Sequence, residues 1–362
     1  MTTDVASKRA AEESQDSLSL MSHLARVQGM QILGLLVVIC VIFSIVAPDA
    51  FLSGDNFRAV VINSSILVIL GVGMTFVLIT GGIDLSVGSV LVFSGVVAGK
   101  TMTALGGQGW LATAAGIVVA ILCGLGWGLL NGILVAKARV PALIVTLGTF
   151  GAALGFSQII TGGIDLREIP DVLVNTIGVG NLFANVPVLS CIAGVVVIAG
   201  AILLHRTRFG LYTYAVGSNV EGCRRVGIKV DRQLIKVYAL AGALSGLAGI
   251  LNLAFYHSTT IGGQSATNLN VIAGVVIGGT SLFGGVGAVL GTVIGLFVPA
   301  VLQNGFVIVG IQPFWQQIVV GAVLIAAVFV DQRQRATAAG KRQHRQRENR
   351  RPTQHGATTS VR

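Results

Sequence analysis

Charge is what this sequence has least of. Only 10% of its residues are Asp, Glu, Lys or Arg, against 53% hydrophobic, and the mean hydropathy is +0.84. So few charges and such long apolar runs exclude a soluble domain of this size and imply an all-α, polytopic membrane protein. Cysteine is scarce and scattered: Cys40, Cys123 and Cys191 fall inside apolar runs and Cys223 in a basic segment. They read as unpaired thiols, not as a disulfide framework. The histidines, at 23, 205, 257, 344 and 355, have no second ligand at metal spacing, which leaves no zinc site. No local motif suggests a Ser/His/Asp or Cys/His set either. The nearest approach to a phosphate-binding loop is Ser94 to Thr101, but Ser94 replaces the first glycine and no strand precedes it. The chain therefore reads as a non-enzyme that carries no cofactor of its own.

What is present is a succession of apolar segments. Residues 1–28 form a polar tail of mixed charge, and the apolar run that follows to Ala47 has no small-residue cleavage site after it, so it reads as a retained first span. Further spans are expected at roughly Ala59–Thr80, Val87–Leu105, Leu111–Ala136, Ala142–Thr161, Val186–Leu204, Leu234–Phe255, Leu269–Leu282, Val286–Leu302 and Phe314–Val330. That makes about ten transmembrane helices within a domain of residues 29–331, the eighth short for a full crossing.

Basic residues test this topology, because Lys and Arg accumulate in cytoplasmic loops. With the N-terminus inside, 21 of the 24 Lys and Arg residues fall on the inner side, and only Arg58, Lys100 and Arg167 fall outside. Both termini are therefore expected in the cytosol. The basic tail of residues 332–362 lacks apolar periodicity and reads as disordered. It has no aromatic residue on which a base could stack, so nucleic-acid binding is not indicated.

The longest polar interval between the first and last apolar segments is residues 205–236, placed in the cytosol with seven Lys/Arg residues. Within it Asn219 suits a helix N-cap, Glu221 lies in the first turn, Arg224 and Arg225 in the last, and Gly227 stops the helix before Ile228. A two-turn helix is expected there. It serves either as a docking element or as a basic loop that fixes topology.

Small residues recur at spacing four in three rows: Gly124, Gly128 and Gly132; Gly242 and Gly246; Gly287, Gly291 and Gly295. Each row gives one helix a smooth face for close packing in lipid. Two near-identical phrases, Leu78–Leu85 and Ile159–Leu166, fall on opposite faces of the membrane in this count, as an inverted repeat would place them. The first phrase continues through Ser86, and its Asp84 is a carboxylate close to apolar spans. Asp84 reads either as the N-terminal cap of the third span or as part of a permeation path. Uncharged polar residues suited to line a path for a neutral polyol are Asn63, Ser64, Gln158, Asn252, Gln264, Asn268, Asn270 and Gln303. Each is equally suited to a helix-to-helix hydrogen bond.

Three ordered motifs, GGIDLSVGS at 81–89, AVGSNVEGCRRVGIKVDR at 215–232 and VIAGVVIGGTSLFGGVGAVLGTVIG at 271–295, resemble the permease subunits of ABC-type monosaccharide importers, the ribose, xylose and arabinose group. The likeness runs from about residue 30 to 331, and Arg224 to Ile228 with the Pro313–Gln316 start of the last span are most like xylose-type members. The resemblance implies a homodimeric inner-membrane pore, fed by a periplasmic sugar-binding protein and driven by ATP and Mg on a separate ABC ATPase chain. It also implies that Gly217, Asn219, Glu221, Arg224, Arg225, Gly227 and Ile228 form an ATPase-coupling loop, and it leaves Asp84, Ser86, Asn63, Gln264, Asn268 and Asn270 as the candidate translocation path. The chain departs from the family at Gly222-Cys223, where Ala-Ala is usual, and at Asn268, where an acidic residue is common. Rival readings are an ion-coupled secondary sugar transporter, a passive channel, and an ABC permease for branched-chain amino acids.

Overall fold

The computed structural model describes residues 32–182, 186–262, 267–312, 314–326, 328–329 and 332. The expected N-terminal tail, Gln264, Pro313 and nearly all of the C-terminal tail lie outside them. Almost all described residues that form regular structure are helical, so the chain is a polytopic helical membrane protein. Helices long and apolar enough to cross a membrane are α3 (Gly54–Ile79), α4 (Val87–Ala104), α5 (Gly109–Ala136), α6 (Ala142–Thr161), α8 (Val188–Arg206), α11 (Val230–Tyr256) and α13 (Val289–Ile308). Shorter apolar helices are α1 (Ile32–Val46), α12 (Thr267–Ile277) and α14 (Phe314–Ala326). The remaining helical pieces are α2 (Pro48–Phe51), α7 (Asp171–Leu173) continued by a π-helical turn (Val174–Gly178), α9 (Arg208–Ser218) and α10 (Val220–Arg225). Asn181–Leu182 and Val186–Pro187 pair as a small antiparallel ribbon.

Helix α3 is the axis of the bundle. It is apolar around its whole circumference and buried along most of its length, with Ile69, Met74, Phe76 and Leu78 fully enclosed; a helix without a polar face belongs in an interior. By contrast α1, α5, α6, α8 and α14 each turn large apolar side chains outward, such as Ile45, Leu122, Ile159, Ile198 and Ile325, as a lipid-facing surface requires.

Two of the expected glycine rows pack against each other. A methyl group on Gly124 would overlap the Gly242 carbonyl, and one on Gly128 would overlap the Tyr238 carbonyl. Helices α5 and α11 thus run antiparallel with their backbones in contact. The third row is shorter than its spacing implies. Gly287 precedes α13, where its neighbour is Thr280, and only Gly291 and Gly295 face a partner row, Gly278 and Gly274 at the end of α12. Helix α12 also stops at Ile277, well before Leu282, because residues 278–288 turn back toward α13 with positive φ at Gly279, Gly284 and Gly285.

The packing has an exchange symmetry. Helix α11 contacts α5 and α4 as α3 contacts α13 and α12, while α4–α5, α12–α13, α3–α11 and α4–α12 complete the scheme. Because Gly73 of α3 lies against Ala241 of α11, and Gly82 beyond the end of α3 lies against Tyr238, α3 and α11 are antiparallel. The repeat therefore relates α3–α4–α5 to α11–α12–α13. It is not in the register of the two matching phrases, which follow α3 and α6. Their conformations differ as well: Gly81 alone has positive φ in the first, both Gly162 and Gly163 in the second.

Gly128→Ala is expected to destabilise the bundle by about 1–3 kcal/mol through overpacking, read as a lower midpoint of thermal unfolding in detergent. Gly126→Ala, whose methyl meets nothing within 4 Å, is expected to leave the midpoint unchanged or to raise it.

Candidate functional site

The interval between α8 and α11 folds into two helices where a single short one was expected. Helix α9 is N-capped by Thr207, whose hydroxyl accepts from the Gly210 amide at 3.4 Å. It escaped the sequence reading because its start, after His205 and Arg206, carries no break beyond Thr207 itself. Gln233 of α11 holds it in place, donating to the Phe209 carbonyl and the Thr213 hydroxyl, each at 2.9 Å. Tyr214 donates to the Gly287 carbonyl at 2.6 Å. Burial pushes its phenol up to about 12, so this bond keeps its donor across the physiological pH range.

Helix α10 matches the capped two-turn helix read from the sequence. The Asn219 side chain accepts from the Gly222 amide at 2.8 Å. Ile228 N–H reaches the Cys223 carbonyl at 3.0 Å, across Gly227 at φ +81°, which closes the helix with the left-handed glycine cap. Glu221 and Arg224 pair at 3.4 Å on the outer face, and Arg224 lies 3.9 Å from Asp231. The inner face is anchored by Cys223, packed with Val216 and Val230. The outer face is left open: Glu221 is 71% exposed and Val226 76%.

The second candidate region lies beside it, inside the bundle. After α3 ends at Ile79, residues Gly82 to Ser86 run among the helices as irregular, non-helical chain. Gly82 is pressed against the Tyr238 hydroxyl, and Asn131 of α5 donates to the Ser86 hydroxyl at 2.9 Å. Helix α4 thus starts within the bundle. Its second residue, Gly88, donates its amide to Asn268 Oδ1 at 2.7 Å, and Asn268 stands about 15 Å, ten residues of α12, from the turn at 278. Non-helical backbone at such depth is tolerated only where protein surrounds it.

Asp84 is 2% exposed, and its Oδ1 accepts from the Ser86 amide at 2.8 Å and the Ser86 hydroxyl at 2.6 Å. It organises the turn that precedes α4 instead of capping the helix, and the cap on Gly88 comes from Asn268. Asp84, Ser86 and Asn268 are therefore brought together, but as a buried hydrogen-bonded set. Asn131 completes this set, Tyr238 packs beside it against Gly82, and neither was anticipated; the available signal was an Asn and a Tyr set within otherwise apolar helices. The other candidates are dispersed. Asn63, Gln158 and Gln303 are exposed on α3, α6 and α13, Asn270 is half-buried, and Ser64 donates to its own helix. Asn252 is buried and donates to Thr260. At the opposite end of the bundle Asp165 accepts from the Ile261 amide at 2.9 Å and the Thr259 hydroxyl at 3.1 Å, tying the end of α6 to the segment after α11.

Residues 56–328 match the family model described as branched-chain amino acid transport system / permease component. The chain is 37% identical to the ribose import permease protein of Escherichia coli (strain K12) over 82% of its length and 91% of that protein. It is 34% identical to the ribose import permease protein of Bacillus subtilis (strain 168), over 84% and 92%. To the fructose import permease protein of Rhizobium meliloti it is 32% identical, over 84% and 85%. The chain belongs to this permease family. No solved structure matches it. The matched region takes in α3 to α14, so both candidate regions of the permease lie inside it, while α1 and the tails lie outside. The chain is a non-catalytic permease subunit and a multi-pass protein of the inner membrane.

Asp84→Ala in this permease is expected to cost about 1–3 kcal/mol, because the Ser86 amide and hydroxyl lose their acceptor in a buried turn. Tyr238→Phe is expected to be near neutral, since the hydroxyl it removes is buried without a hydrogen-bond partner among the described residues. Thermal unfolding of the two variants in one detergent checks the contrast.

Proposed function

We propose that this chain is the membrane-spanning permease of an ABC importer for a monosaccharide, with a pentose such as ribose as its cargo. A periplasmic sugar-binding protein delivers the sugar, and ATP and Mg act on a separate ATPase chain. The observation that carries this reading is α10: a short helix capped at both ends, anchored by Cys223 and presenting Glu221, Arg224, Arg225 and Val226 outward on a chain whose relatives import sugars. Gly217, Asn219, Gly227 and Ile228 shape and seat it, and an ATPase cleft is its partner. Ribose leads because it is named for relatives in two distant bacteria; the likeness to xylose-type members has no counterpart among them.

The same reading sets the membrane topology. The long helices together with α1, α12 and α14 supply ten crossings, and both tails lie in the cytosol with the basic segments. In support, Lys137 and Arg139 follow α5 at the end where Gly132 meets Ile235, the end that also carries residues 205–236. A second copy of the chain seats against α6. Its outward face carries Gly148, Gly151, Ala152 and Gly155, where added methyls on the glycines meet nothing within 4 Å. Bulky Ile144 and Ile159 stand at the two ends. A lipid-facing surface gains nothing from such a stripe, whereas a close helix contact does. Between the copies the sugar passes residues that offer hydrogen bonds without fixed charge, among them Asn63 and Asn270, with Gln264 as a further candidate. Asp84, Ser86 and Asn268 support the path from behind by holding the start of α4. An ion-coupled mechanism would need a relay of ionisable groups; Asp84 is engaged within its own turn, and Lys100 is exposed about 20 Å further along α4.

Uptake of a labelled sugar panel into proteoliposomes tests the proposal. Ribose uptake is expected only when this chain, its ATPase, its binding protein and internal ATP are all present; uptake by the chain alone under a proton or sodium gradient would overturn the reading. Glu221→Arg places a second cation beside Arg224 and reverses the charge at the start of α10. That variant is expected to insert normally yet lose most sugar-dependent ATP hydrolysis, and hydrolysis at the unmodified level would remove the docking assignment.

A further inference from the structure

We infer that Gly217 is the positioning residue through which displacement of the docking helix enters both halves of the membrane bundle. The inference rests on the docking role proposed for α10. Ser218 and Asn219 alone separate Gly217 from that helix. On its other side Gly217 is packed against the last residue of α3: a methyl there would overlap the Ile79 carbonyl and stand 2.7 Å from the Gly285 nitrogen. That carbonyl is already engaged, accepting from the Gly285 amide at 2.8 Å. A methyl on Gly284 would in turn stand 2.9 Å from both the Gly217 carbonyl and the Gly81 nitrogen.

Three chain segments therefore meet backbone to backbone at one point: the end of α3, the end of α9 and the turn between α12 and α13. The first belongs to one half of the exchange-symmetric packing and the third to the other. One turn back along α9, Tyr214 locks the same junction by its bond to Gly287. Where side chains separate two elements, a rotamer change can absorb a small shift; close-packed backbones hold no such slack and pass the shift on. From Ile79 the chain continues through the Asp84 turn to the start of α4, and from Gly285 it continues into α13. A movement of α10 thus reaches both α4 and α13 through one glycine, which adds no selectivity for sugar and no affinity for the ATPase.

The test is Gly217→Ala and Tyr214→Phe in the complete reconstituted importer, with sugar uptake and ATP hydrolysis measured together. Gly194→Ala serves as the control, since its methyl meets nothing within 4 Å. Both variants are expected to retain the ATPase on co-purification and to reach half-maximal uptake at the unmodified sugar concentration. Sugar moved per ATP is expected to fall about tenfold for Gly217→Ala and about fivefold for Tyr214→Phe, with the control unchanged. An unmodified ratio for Gly217→Ala, or an equal fall in the control, would overturn the inference. If Gly217→Ala does not insert, Tyr214→Phe decides, because it removes one hydrogen bond and adds no volume; an unmodified ratio there overturns the inference too. Failure of the unmodified chain to engage an ATPase would instead remove the docking reading, and this inference with it.

Discussion

Contact between helix backbones is the constraint on which the rest of this structure depends. In lipid there is no hydrophobic gain from pressing one apolar helix against another, so association relies on close dispersion contacts and interhelical hydrogen bonds. Gly124 and Gly128 against Tyr238, Gly242 and Gly246, and Gly274 and Gly278 against Gly291 and Gly295, supply those contacts twice. The exchange of α3–α4–α5 with α11–α12–α13 does not convert one pair into the other: it relates α5–α11 to α13–α3 and α12–α13 to α4–α5. The two pairs enclose α3 and leave room between them for chain that is not helical.

That enclosed, irregular chain is where the polar chemistry lies. The Gly82–Ser86 segment has lost the internal hydrogen bonds of a helix, and in hydrocarbon each unmet group would cost several kcal/mol. Asp84 meets part of that demand at the Ser86 amide and Thr146 of α6 at the Ile83 carbonyl, while Asn131 donates to the Ser86 hydroxyl and Asn268 accepts from Gly88 in the first turn of α4. A carboxylate deep in the bundle is thereby explained by local backbone need, without an ion to carry. The start of α4 is thereby held by side chains from α5 and α12.

The face that carries α10 is built on the same rule at the surface of the bundle. Helix α9 lies across the ends of α3 and of the α12–α13 turn, fixed by Gln233 and Tyr214, and α10 projects from it with its charged side outward. Gly222-Cys223 fits this arrangement. Cys223 fills the small space against Val216 and Val230, and the half-buried Gly222 receives the Asn219 cap. The lower helix propensity of glycine, about 1 kcal/mol against alanine, is offset by caps at both ends.

Much of this was legible in the chain itself. Span existence followed from apolar runs and charge bias, and α6 was read to the residue because Pro141 and Gly162 bracket it. Helix α10 was read from its cap residues, which act through neighbours within one turn and therefore leave a local signature. The exchange symmetry, the burial of Asp84, the convergence of Ile79, Gly217 and Gly285, and the loss of Gly287 from its row were not. Matching phrases suggested the wrong repeat register, since similar words in an apolar chain carry no information about which helices touch. The sequence by itself determined the class of protein, the apolar helices and the capped helix α10, because hydrophobicity, charge placement and capping act over short separations. Which glycines meet, where α4 begins and which polar groups are brought together were decided only by the tertiary structure, because those contacts join residues from about 13 to 220 positions apart and each depends on how closely two backbones approach.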